Sequence, residues 1–444
     1  MSGHRRLAIA AVGLALVATS CTPSVGSGAG EQGDGTGLVT IVLWPGPEGD
    51  AMADVVDEYN DGQGKTDGIE VQMTLLSRQD TFSKEATLMA AKSSEQDIYF
   101  VASYNVGQFS PSLSPLSSVD ASNFFPVAVD GLKYQSQQFA LPLDVSNHFL
   151  LYRKDLVDKL LADSAQKADY QAIAQKVIGE PRAPKAADDW DLDDFKVMAA
   201  YFSKSDNPKS LTEYGTILQA KNLLYNTMLW NDVLWGMGGG WTDASGKADL
   251  ATPQAQKAVQ LYADIYSNHW ASPDSAQAEF PETQAALQSG NVAFALQWSA
   301  GFADLNDPEK SPDVAGKIAI AKVPGGKTHV HALAVALNKY SKNQAAATKF
   351  LEYLAKPETM TSYAKAGGIP SMPAVLEAQS DINPAFAKIS ESIDKYGYSE
   401  PVFPRTFDAY AKLAEDLSGA WVGTTPAQTA LQTANADLQG LLGS

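Results

Sequence analysis

Four of the eight tryptophans in this sequence stand where the chain turns, outside periodic apolar stripes. Trp44 and Trp298 end apolar runs, Trp241 follows three glycines, and Trp235 lies in the last turn of a predicted helix. An indole ring has a flat apolar face and one N–H donor, so it can stack on a ligand that has apolar faces and polar edges. We therefore take these rings as candidate contacts of a small-molecule site. The alternative for each ring is packing in the core.

Charged side chains near such turns could supply the directed hydrogen bonds that a small-molecule site needs. Glu48 follows Trp44 by four residues, and Arg405 lies in a proline-rich stretch that reads as extended, 401–406. A planar guanidinium can bind two hydroxyls or a carboxylate. The alternative for Arg405 is a surface ion pair, which contributes little energy.

One segment near the middle of the chain combines apolar and polar patterning. The pattern predicts a strand over 139–141 that ends at Pro142, a polar turn, and a second strand over 149–152. Asp144 and Asn147 lie in the predicted turn. Taken alone, the segment could equally be a surface loop between two strands.

The N-terminal part of the chain alternates strand and helix patterns. The predicted order is strand 38–44, helix 51–60, strand 69–75, helix 82–91 and strand 97–101. This spacing predicts βαβ units and a mostly parallel sheet, so the fold class is α/β. Ligands bind beyond the carboxyl ends of the strands in such sheets, and Trp44 and Tyr104 lie just past two of those ends.

The rest of the chain is richer in helix patterns, with later strands among them. The later elements with the clearest patterns are helices 222–235, 253–266 and 343–355 and strands 292–298, 317–323 and 331–337. Proline opens the helix at 253, where its missing N–H has no partner to lose. No internal repeat is visible.

The N-terminus has the pattern of a secretory signal peptide. A basic start at 4–6 precedes an apolar run over 7–18, which is shorter than the ~20 residues that a spanning helix needs. Cys21, the only cysteine, follows at the expected cleavage point, although Ala18 stands where a lipoprotein signal usually has Leu. We expect residues 1–20 to be removed, Cys21 to carry lipid (diacylglycerol and an acyl chain such as palmitate), and residues 21–37 to form a flexible tether. The alternative is an ordinary cleaved signal peptide.

Charge and length limit the class of protein. The formal net charge is −18, and loss of residues 1–20 makes it two units more negative because Arg5 and Arg6 are removed. So acidic a chain is a poor match for nucleic acid or for anionic lipid surfaces, which attract basic faces. The body of ~400 residues is expected to form two or three domains at ~150 residues each.

Several short motifs occur in an order that resembles the family 1 extracellular solute-binding proteins, the sugar receptors of ABC importers. The motifs are Gly-Gly-Gly-Trp-Thr-Asp at 238–243, Ser-Gly-Asn-Val-Ala-Phe at 289–294 leading to Trp298, Val-Pro-Gly-Gly at 323–326, Lys-Pro-Glu at 356–358, and Gly-Gly-Ile-Pro-Ser at 367–371. The resemblance covers most of the chain from about 38 to 407. It departs over 163–188, which is longer here than is usual in the family.

This resemblance implies a periplasmic-binding-protein-like fold, in which two lobes are joined by a hinge of crossing strands around a central cleft. The expected N-terminal lobe comprises 38–142 and 317–362, and the helix-rich C-terminal lobe comprises 143–316 and 363–444. The ligand would be a carbohydrate, a di- or oligosaccharide, that holds the lobes closed before delivery to membrane permease subunits. The protein would be an exported monomeric lipoprotein with no enzymatic activity, cofactor or metal.

The resemblance also assigns roles to particular residues. Trp298 would stack on the sugar from the second lobe, and Glu48 would bind hydroxyls from the first. Asp144 and Asn147 would face the ligand at the crossing segment, and Arg405 would lie in an element along the cleft. The full set of predicted ligand contacts is Trp44, Glu48, Tyr104, Asp144, Asn147, Trp235, Trp241, Trp298 and Arg405.

Other classes of function stay open from the residues alone. A polyamine receptor would need an acidic cleft with aromatic walls, and a receptor for a glycerol phosphodiester would need Arg405 with further donors. A glycoside hydrolase would need two carboxylates at a defined separation, which can be distant in sequence. His329 and His331 share a strand face, but no third metal ligand is near them in the sequence.

Overall fold

The structure is a computed structural model, and it describes residues 35–443. Cys21 and residues 1–34 lie outside the described residues. The strands are β1 Gly37–Leu43, β2 Ile69–Leu75, β3 Ile98–Ala102, β4 Lys133–Tyr134, β5 Gln137–Gln138, β6 Ala140–Arg153, β7 Tyr214–Thr216, β8 Val292–Trp298, β9 Ile318–Ala321, β10 Thr328–Leu337 and β11 Gly397–Tyr398.

The helices surround these strands and include most of the predicted helices. They are α1 Pro47–Asp61, α2 Gln63–Asp67, α3 Arg78–Ala90, α4 Val106–Phe109, α5 Pro126–Asp130, α6 Lys154–Ala162, α7 Ser164–Ile178, α8 Leu192–Tyr201, α9 Leu224–Gly236, α10 Pro253–Ser267, α11 Phe280–Gln288, α12 Gly301–Asn306, α13 Gln344–Leu354, α14 Pro357–Lys365, α15 Pro373–Ala378, α16 Ala385–Tyr396, α17 Thr406–Trp421 and α18 Ala427–Leu442. None of the helices in residues 35–443 has both the length and the apolar character needed to cross a membrane.

The first half-sheet has the strand order β2-β1-β3-β10-β6, with β6 contributing residues 140–147. Strands β2, β1 and β3 are parallel, as the βαβ pattern predicts. The prediction of a mostly parallel sheet is wrong beyond them, because β10 runs antiparallel to both β3 and β6. Both strands belong to the connections that cross between the two halves of the fold, so they do not follow the βαβ direction.

Strand β6 is one strand of 14 residues, so the prediction of two short strands around a polar turn is wrong. Pro142 lies inside it, beside a bulge where the register to β10 shifts between Leu333 and Ala334. A bulge interrupts the ladder and therefore tolerates a residue without an N–H. The polar residues after Pro142 continue the strand because partners distant in sequence satisfy their polar groups.

β6 changes partners between Asn147 and His148. Up to Asn147 it pairs with β10, and from His148 onward it pairs with β8, with β9 joining it from Leu150. At the change, the Thr328 hydroxyl accepts from the His148 N–H at 3.0 Å and donates to the His148 carbonyl at 2.9 Å. These side-chain bonds take over where the backbone ladder to β10 ends.

The second half-sheet consists of residues 148–153 of β6 with β8, β7 and β9. Two half-sheets that share one long strand, with helices around them, confirm the predicted α/β class with crossing strands. The lobe boundary predicted at 142 lies five residues before the point where β6 changes partners. The assignment of residues to lobes stays a prediction.

The segment 163–188, predicted to be an insertion, forms helix α7 and a return segment that is tied to the start of α8. Asp191 and Asp194 form a capping box at the first turn of α8. The Arg182 guanidinium donates to Asp191 at 2.6 Å and to Asp194 at 3.1 Å. The insertion therefore has a packing role on the second half-sheet side of the molecule.

Candidate ligand-binding cavity

A cavity of about 730 Å³ opens above β6, the strand that both half-sheets share, and its neighbour β10. Its floor is made by two cross-strand pairs of β6 and β10, Asp144 opposite Leu333 and Ser146 opposite His331. Side chains two residues apart on a strand point to the same face, so Asp144 and Ser146 reach the cavity together. The floor of the cavity is therefore the same pair of strands that connects the two halves of the fold.

Asp144 is fixed in the floor by neutral donors. Its Oδ2 accepts from the Tyr363 hydroxyl at 2.9 Å and from the Ile369 N–H at 2.8 Å. Backbone bonds from Val145 to Ile369 and from Ser371 to Leu143 tie the same loop to β6. Asp144 thus joins the loop after α14 to the floor, and Ile369 of that loop also lines the cavity.

The charge of Asp144 is disfavoured in this environment. Burial, followed by the like charge of Glu48, raises the pKa of Asp144 to about 8, although the bonds from Ile369 and Tyr363 act in the opposite direction. At neutral pH the carboxyl therefore holds a proton and can donate as well as accept a hydrogen bond. Both functions suit a hydroxyl-bearing ligand.

Glu48 lines the wall beside this floor, at the first turn of α1. The Trp44 indole N–H donates to Glu48 Oε1, four residues away. Trp44 itself is buried and packs edge-on against Phe82 and Phe100. The predicted pair therefore acts as a unit in which Trp44 orients Glu48 and Glu48 reaches the cavity.

The opposite wall is built around the half-buried ring of Trp298, the last residue of β8. Its backbone N–H donates to Gln297 Oε1 at 3.0 Å, and the same oxygen accepts from Gln219 Nε2 at 2.9 Å. Gln219, Tyr225 and Phe280 line the wall around it. An aromatic platform with amides beside it can hold a ligand that has apolar faces and polar edges.

Ion pairs lie at the side of the cavity formed by α11 and α12. Lys310 pairs with Asp304 at 2.7 Å, and Lys221 pairs with Glu279 at 3.2 Å. Lys310, Asp304 and Glu279 all line the cavity. The lysine charges are therefore matched by neighbouring carboxylates.

The structure brings three predicted contacts together in the cavity, namely Glu48, Asp144 and Trp298. Tyr104 lies directly beneath the surface, stacked on His331 with ring centroids 5.3 Å apart. Trp44 supports Glu48, as described above. These five residues form one continuous region around the cavity.

The other four predicted contacts lie elsewhere. Trp241 is fully buried and donates to Asn231 at 3.1 Å, so it is a core residue. Asn147 points to the opposite face of β6 from Asp144 and donates to Ser392 at 3.2 Å. Trp235 stacks on Tyr398 at 4.7 Å outside the cavity lining.

Arg405 is exposed and pairs with Asp408 at 2.8 Å. The segment that precedes it passes against α4, where a Cβ on Gly107 would come within 2.5 Å of the Phe403 carbonyl oxygen. The extended element predicted to run along the cavity therefore packs on α4 here. In the structure Arg405 therefore forms a surface ion pair, which is the alternative to a ligand contact that the sequence left open.

Residues that the sequence reasoning missed include Ser146, Gln219, Tyr225, Phe280 and His331, all of which line the cavity. Strand alternation could have found two of them, because Ser146 shares a face with Asp144 and His331 is its partner on β10. No local signal marks Gln219 or Tyr225, which lie before and within the start of α9. Within residues 35–443, no group of three histidine, cysteine or acidic side chains is placed to hold a metal ion.

Comparison with known proteins places this architecture among solute receptors. A sequence model described as bacterial extracellular solute-binding protein matches residues 45–361. A Sinorhizobium fredii protein named "Probable amino-acid ABC transporter periplasmic-binding protein y4oP" is 24% identical over 159 residues, which is 36% of each chain. The alignment thus spans about a third of the length of that curated relative.

Solved structures share the fold over most of the chain. Maltose-bound MalE3 of T. maritima has a TM-score of 0.70 at 19% identity, covering 91% of this chain and 100% of its own. The GacH receptor of Streptomyces glaucescens, solved unliganded and with acarbose, has a TM-score of 0.72 at 18% identity, covering 92% and 99%. The sugar-binding protein MalE of Xanthomonas citri has a TM-score of 0.71 at 19% identity, covering 91% and 97%.

Proposed function

This chain belongs to the bacterial extracellular solute-binding proteins, and on that premise we propose that it is the substrate-binding subunit of an ABC importer for a carbohydrate. Members of the family act outside the cell membrane, so the protein is exported. In the proposal it captures a di- or oligosaccharide and delivers it to permease subunits in the membrane. It binds its ligand without chemical turnover.

The observation that carries the proposal is the pairing of the Trp298 ring with Glu48 and Asp144 around one cavity. A sugar has apolar C–H faces that stack on an indole, and hydroxyls that bond to carboxyl groups and amides. The volume of about 730 Å³ falls within the usual range for small-molecule sites. Similar folds that hold maltose or acarbose support the same ligand class.

The proposed mechanism is closure of the two lobes around the ligand. The floor belongs to β6 and β10, which run between the two half-sheets, and the walls belong to different halves. A ligand that contacts both walls stabilises the closed arrangement by its differential affinity for it. We propose the lobes as 38–142 with 317–362 and 143–316 with 363–444, acting as a monomer.

A thermal-shift panel of mono- and disaccharides, oligosaccharides and polyols tests the ligand class. A carbohydrate at 100 times its dissociation constant should stabilise the protein by about 2.7 kcal/mol, which is a shift of several degrees in the midpoint. The matched control is Trp298→Ala, which should fold but show no shift. If no carbohydrate raises the midpoint of the wild-type protein, the proposed ligand class is wrong.

A cationic solute such as a polyamine is the second candidate. Four residues that line the cavity are acidic, namely Glu48, Asp144, Glu279 and Asp304. Aromatic walls and carboxylates together could bind ammonium groups. Spermidine and putrescine therefore belong in the panel, and a shift with them alone would replace the carbohydrate by a polyamine.

We further propose that Cys21 is lipidated and that the residues between Cys21 and strand β1 tether the body to the membrane surface. The support is the sequence pattern, because Cys21 lies outside the described residues. Expression with Cys21→Ala should move the protein from the membrane fraction into the medium or periplasm. Retention of the variant in the membrane fraction would contradict the anchor.

A further inference from the structure

Three of the five histidines of this chain lie against one tryptophan, Trp298. The His148 ring contacts it edge-on with centroids 4.2 Å apart, and His329 and His331 lie at 6.2 Å and 5.8 Å. His331 lines the cavity, whereas His148 and His329 lie beneath it and are fully buried. The proposed stacking platform, Trp298, therefore packs on imidazole rings.

Each of the two buried imidazoles is fixed by its own carboxylate. His148 Nδ1 lies 2.7 Å from Asp232 Oδ2, and His329 Nδ1 lies 2.8 Å from Glu400 Oε2. The second oxygen of Asp232 accepts from the His329 backbone N–H at 2.7 Å, which links the two pairs. The carboxylates come from α9 and from the segment after β11, so separate parts of the chain meet here.

Further donors form hydrogen bonds with both carboxylates. Tyr398 donates to Asp232 Oδ1 at 3.0 Å, Asn231 donates to Glu400 Oε1 at 2.7 Å, and Tyr410 also bonds Glu400. Burial would raise the pKa of Glu400, but the hydrogen bonds that it accepts from His329, Tyr410 and Asn231 hold it below its usual value. Burial and the nearby carboxylates raise the pKa of both tyrosines, which keeps them as neutral donors.

The other ring nitrogens have a different environment. Nε2 of His148 and Nε2 of His329 are buried and have no hydrogen-bond partner among residues 35–443. A hydrogen-bond network of this kind assigns the ring proton to Nδ1, where each carboxylate accepts it. The neutral Nδ1–H form fits the site, whereas a second proton would create a buried N–H donor without an acceptor.

We propose that His148 and His329 are positioning residues for the Trp298 ring, and that both must stay neutral for tight ligand binding. This inference rests on the proposed function for its ligand. Protonation of either Nε2 would draw water or an acceptor under Trp298 and displace the ring. Affinity should therefore fall as the external pH becomes acidic.

The pH dependence involves the groups that face these rings from every neighbouring element. They are Asp232 from α9, His331 from β10, Tyr398 and Glu400 from β11 and the segment after it, Tyr410 from α17, and Tyr104 next to His331. Asp144 titrates at higher pH, so measurements between pH 5 and pH 7 leave it protonated. His331 also contacts the Trp298 ring, and a variant of His148 leaves that contact in place.

His148→Asn tests the role directly. The asparagine amide can replace the Nδ1–H donor to Asp232 but removes the ring edge that contacts Trp298. With maltose, or the panel carbohydrate that gives the largest thermal shift, wild-type affinity should fall about tenfold from pH 7 to pH 5. His148→Asn should bind about tenfold more weakly at pH 7 and lose part of that pH dependence, because His329 remains. Wild-type affinity in the variant, or an unchanged pH profile, would overturn the proposal.

His269→Asn is the matched control. His269 is exposed and has a left-handed backbone, φ 59°, which asparagine tolerates. This variant should keep both the affinity and the pH profile of the wild type. A similar loss in His269→Asn would mean that the effect does not come from the rings beneath Trp298.

Two further measurements need no ligand. Imidazole ¹⁵N spectra at pH 7 should show His148 and His329 as neutral rings protonated at Nδ1, and doubly protonated rings would overturn the proposal. Acrylamide quenching of Trp298, taken as the difference between wild type and Trp298→Phe, should increase from pH 7 to pH 5. If no carbohydrate binds but both results hold, the proposed ligand fails while the positioning role stands.

Discussion

Asp144 and His148 lie four residues apart on the same face of β6, and their surroundings differ sharply. Burial and the like charge of Glu48 raise the pKa of Asp144 to about 8, although two neutral donors bond one of its oxygens. His148 contacts Asp232, whose oxygens also accept from Tyr398 and the His329 backbone. The first position opens to the cavity, and the second is closed beneath it.

The comparison indicates that burial alone does not decide the charge of a carboxyl group in this protein. Asp144 and Glu400 are both buried, yet the pKa of Asp144 is raised and that of Glu400 is lowered. The difference lies in the donors, since Glu400 receives bonds at both oxygens and faces His329. Groups at the cavity floor keep hydrogen-bonding capacity for a ligand, whereas groups beneath it use that capacity within the protein.

The largest expected effect on stability comes from removing Asp232, the carboxylate that bonds His148 beneath the cavity. Asp232→Ala leaves the His148 ring, the His329 N–H and the Tyr398 hydroxyl without their shared acceptor. Because each buried donor left unsatisfied costs about 1–3 kcal/mol, we expect a loss of at least about 3 kcal/mol in the free energy of unfolding, measured by urea denaturation at neutral pH. Asp144→Ala in the cavity floor removes one acceptor from two neutral donors and should lower the free energy of unfolding by less. Equal losses would contradict the difference described between the two positions.

The second effect concerns pH at the open end. The folded chain holds the Asp144 proton up to about pH 8, whereas the ordinary pKa of an aspartate is 3.8, so the stability of the wild type falls as pH rises through that interval. Between pH 6 and pH 8 this group should contribute a loss of about 2 kcal/mol. Asp144→Asn keeps a neutral acceptor and should lack this slope in urea titrations; an identical slope would contradict the raised pKa.

A smaller contrast compares two buried glutamates. Glu85 accepts from the Phe100 N–H with one oxygen and has no partner at the other among the described residues, and burial raises its pKa well above the usual value. Glu85→Gln should therefore change the free energy of unfolding by less than about 1 kcal/mol. Glu400→Gln puts an amide against donors from His329 or Asn231 and should cost about 1–3 kcal/mol. A reversed order in urea denaturation would mean that the donor count does not govern these sites.

The smallest effect is expected outside the cavity. Arg405 and Asp408 form an exposed pair, so Arg405→Ala should change stability by less than about 0.5 kcal/mol. The carbohydrate affinity of this variant, measured by calorimetry, should stay within about twofold of the wild-type affinity. A large loss of affinity would show that Arg405 reaches the ligand in a closed form, as the sequence suggested.

The sequence was sufficient for the α/β class, the family and many of the individual strands and helices. Periodic apolar patterns carried those predictions, and the short motifs from 238 to 371 occur in an order that is hard to produce by chance. The strand Val292–Trp298 and the strand Ile69–Leu75 have the bounds that the pattern predicts. Such patterns depend on residues that are close together in the sequence, so they can be recognised without knowing the tertiary fold.

The polar face of β6 could not be predicted in the same way. Residues 143–148 read as a turn because their partners lie far away in sequence, with Tyr363 bonded to Asp144 and Asp232 to His148. Trp241 follows three glycines and reads as a loop residue, yet it folds back against Tyr410 in the core. Gly238 adopts a left-handed conformation, φ 79°, and allows the turn that makes this possible.

A structure of the protein with the carbohydrate that gives the largest thermal shift is the most direct test of the central claim. The account predicts a sugar ring stacked on the Trp298 indole within about 4 Å. Its hydroxyls should bond Glu48 and Asp144 above the His331 floor. A ligand bound elsewhere, or one in this cavity that leaves Trp298 untouched, would contradict the claim.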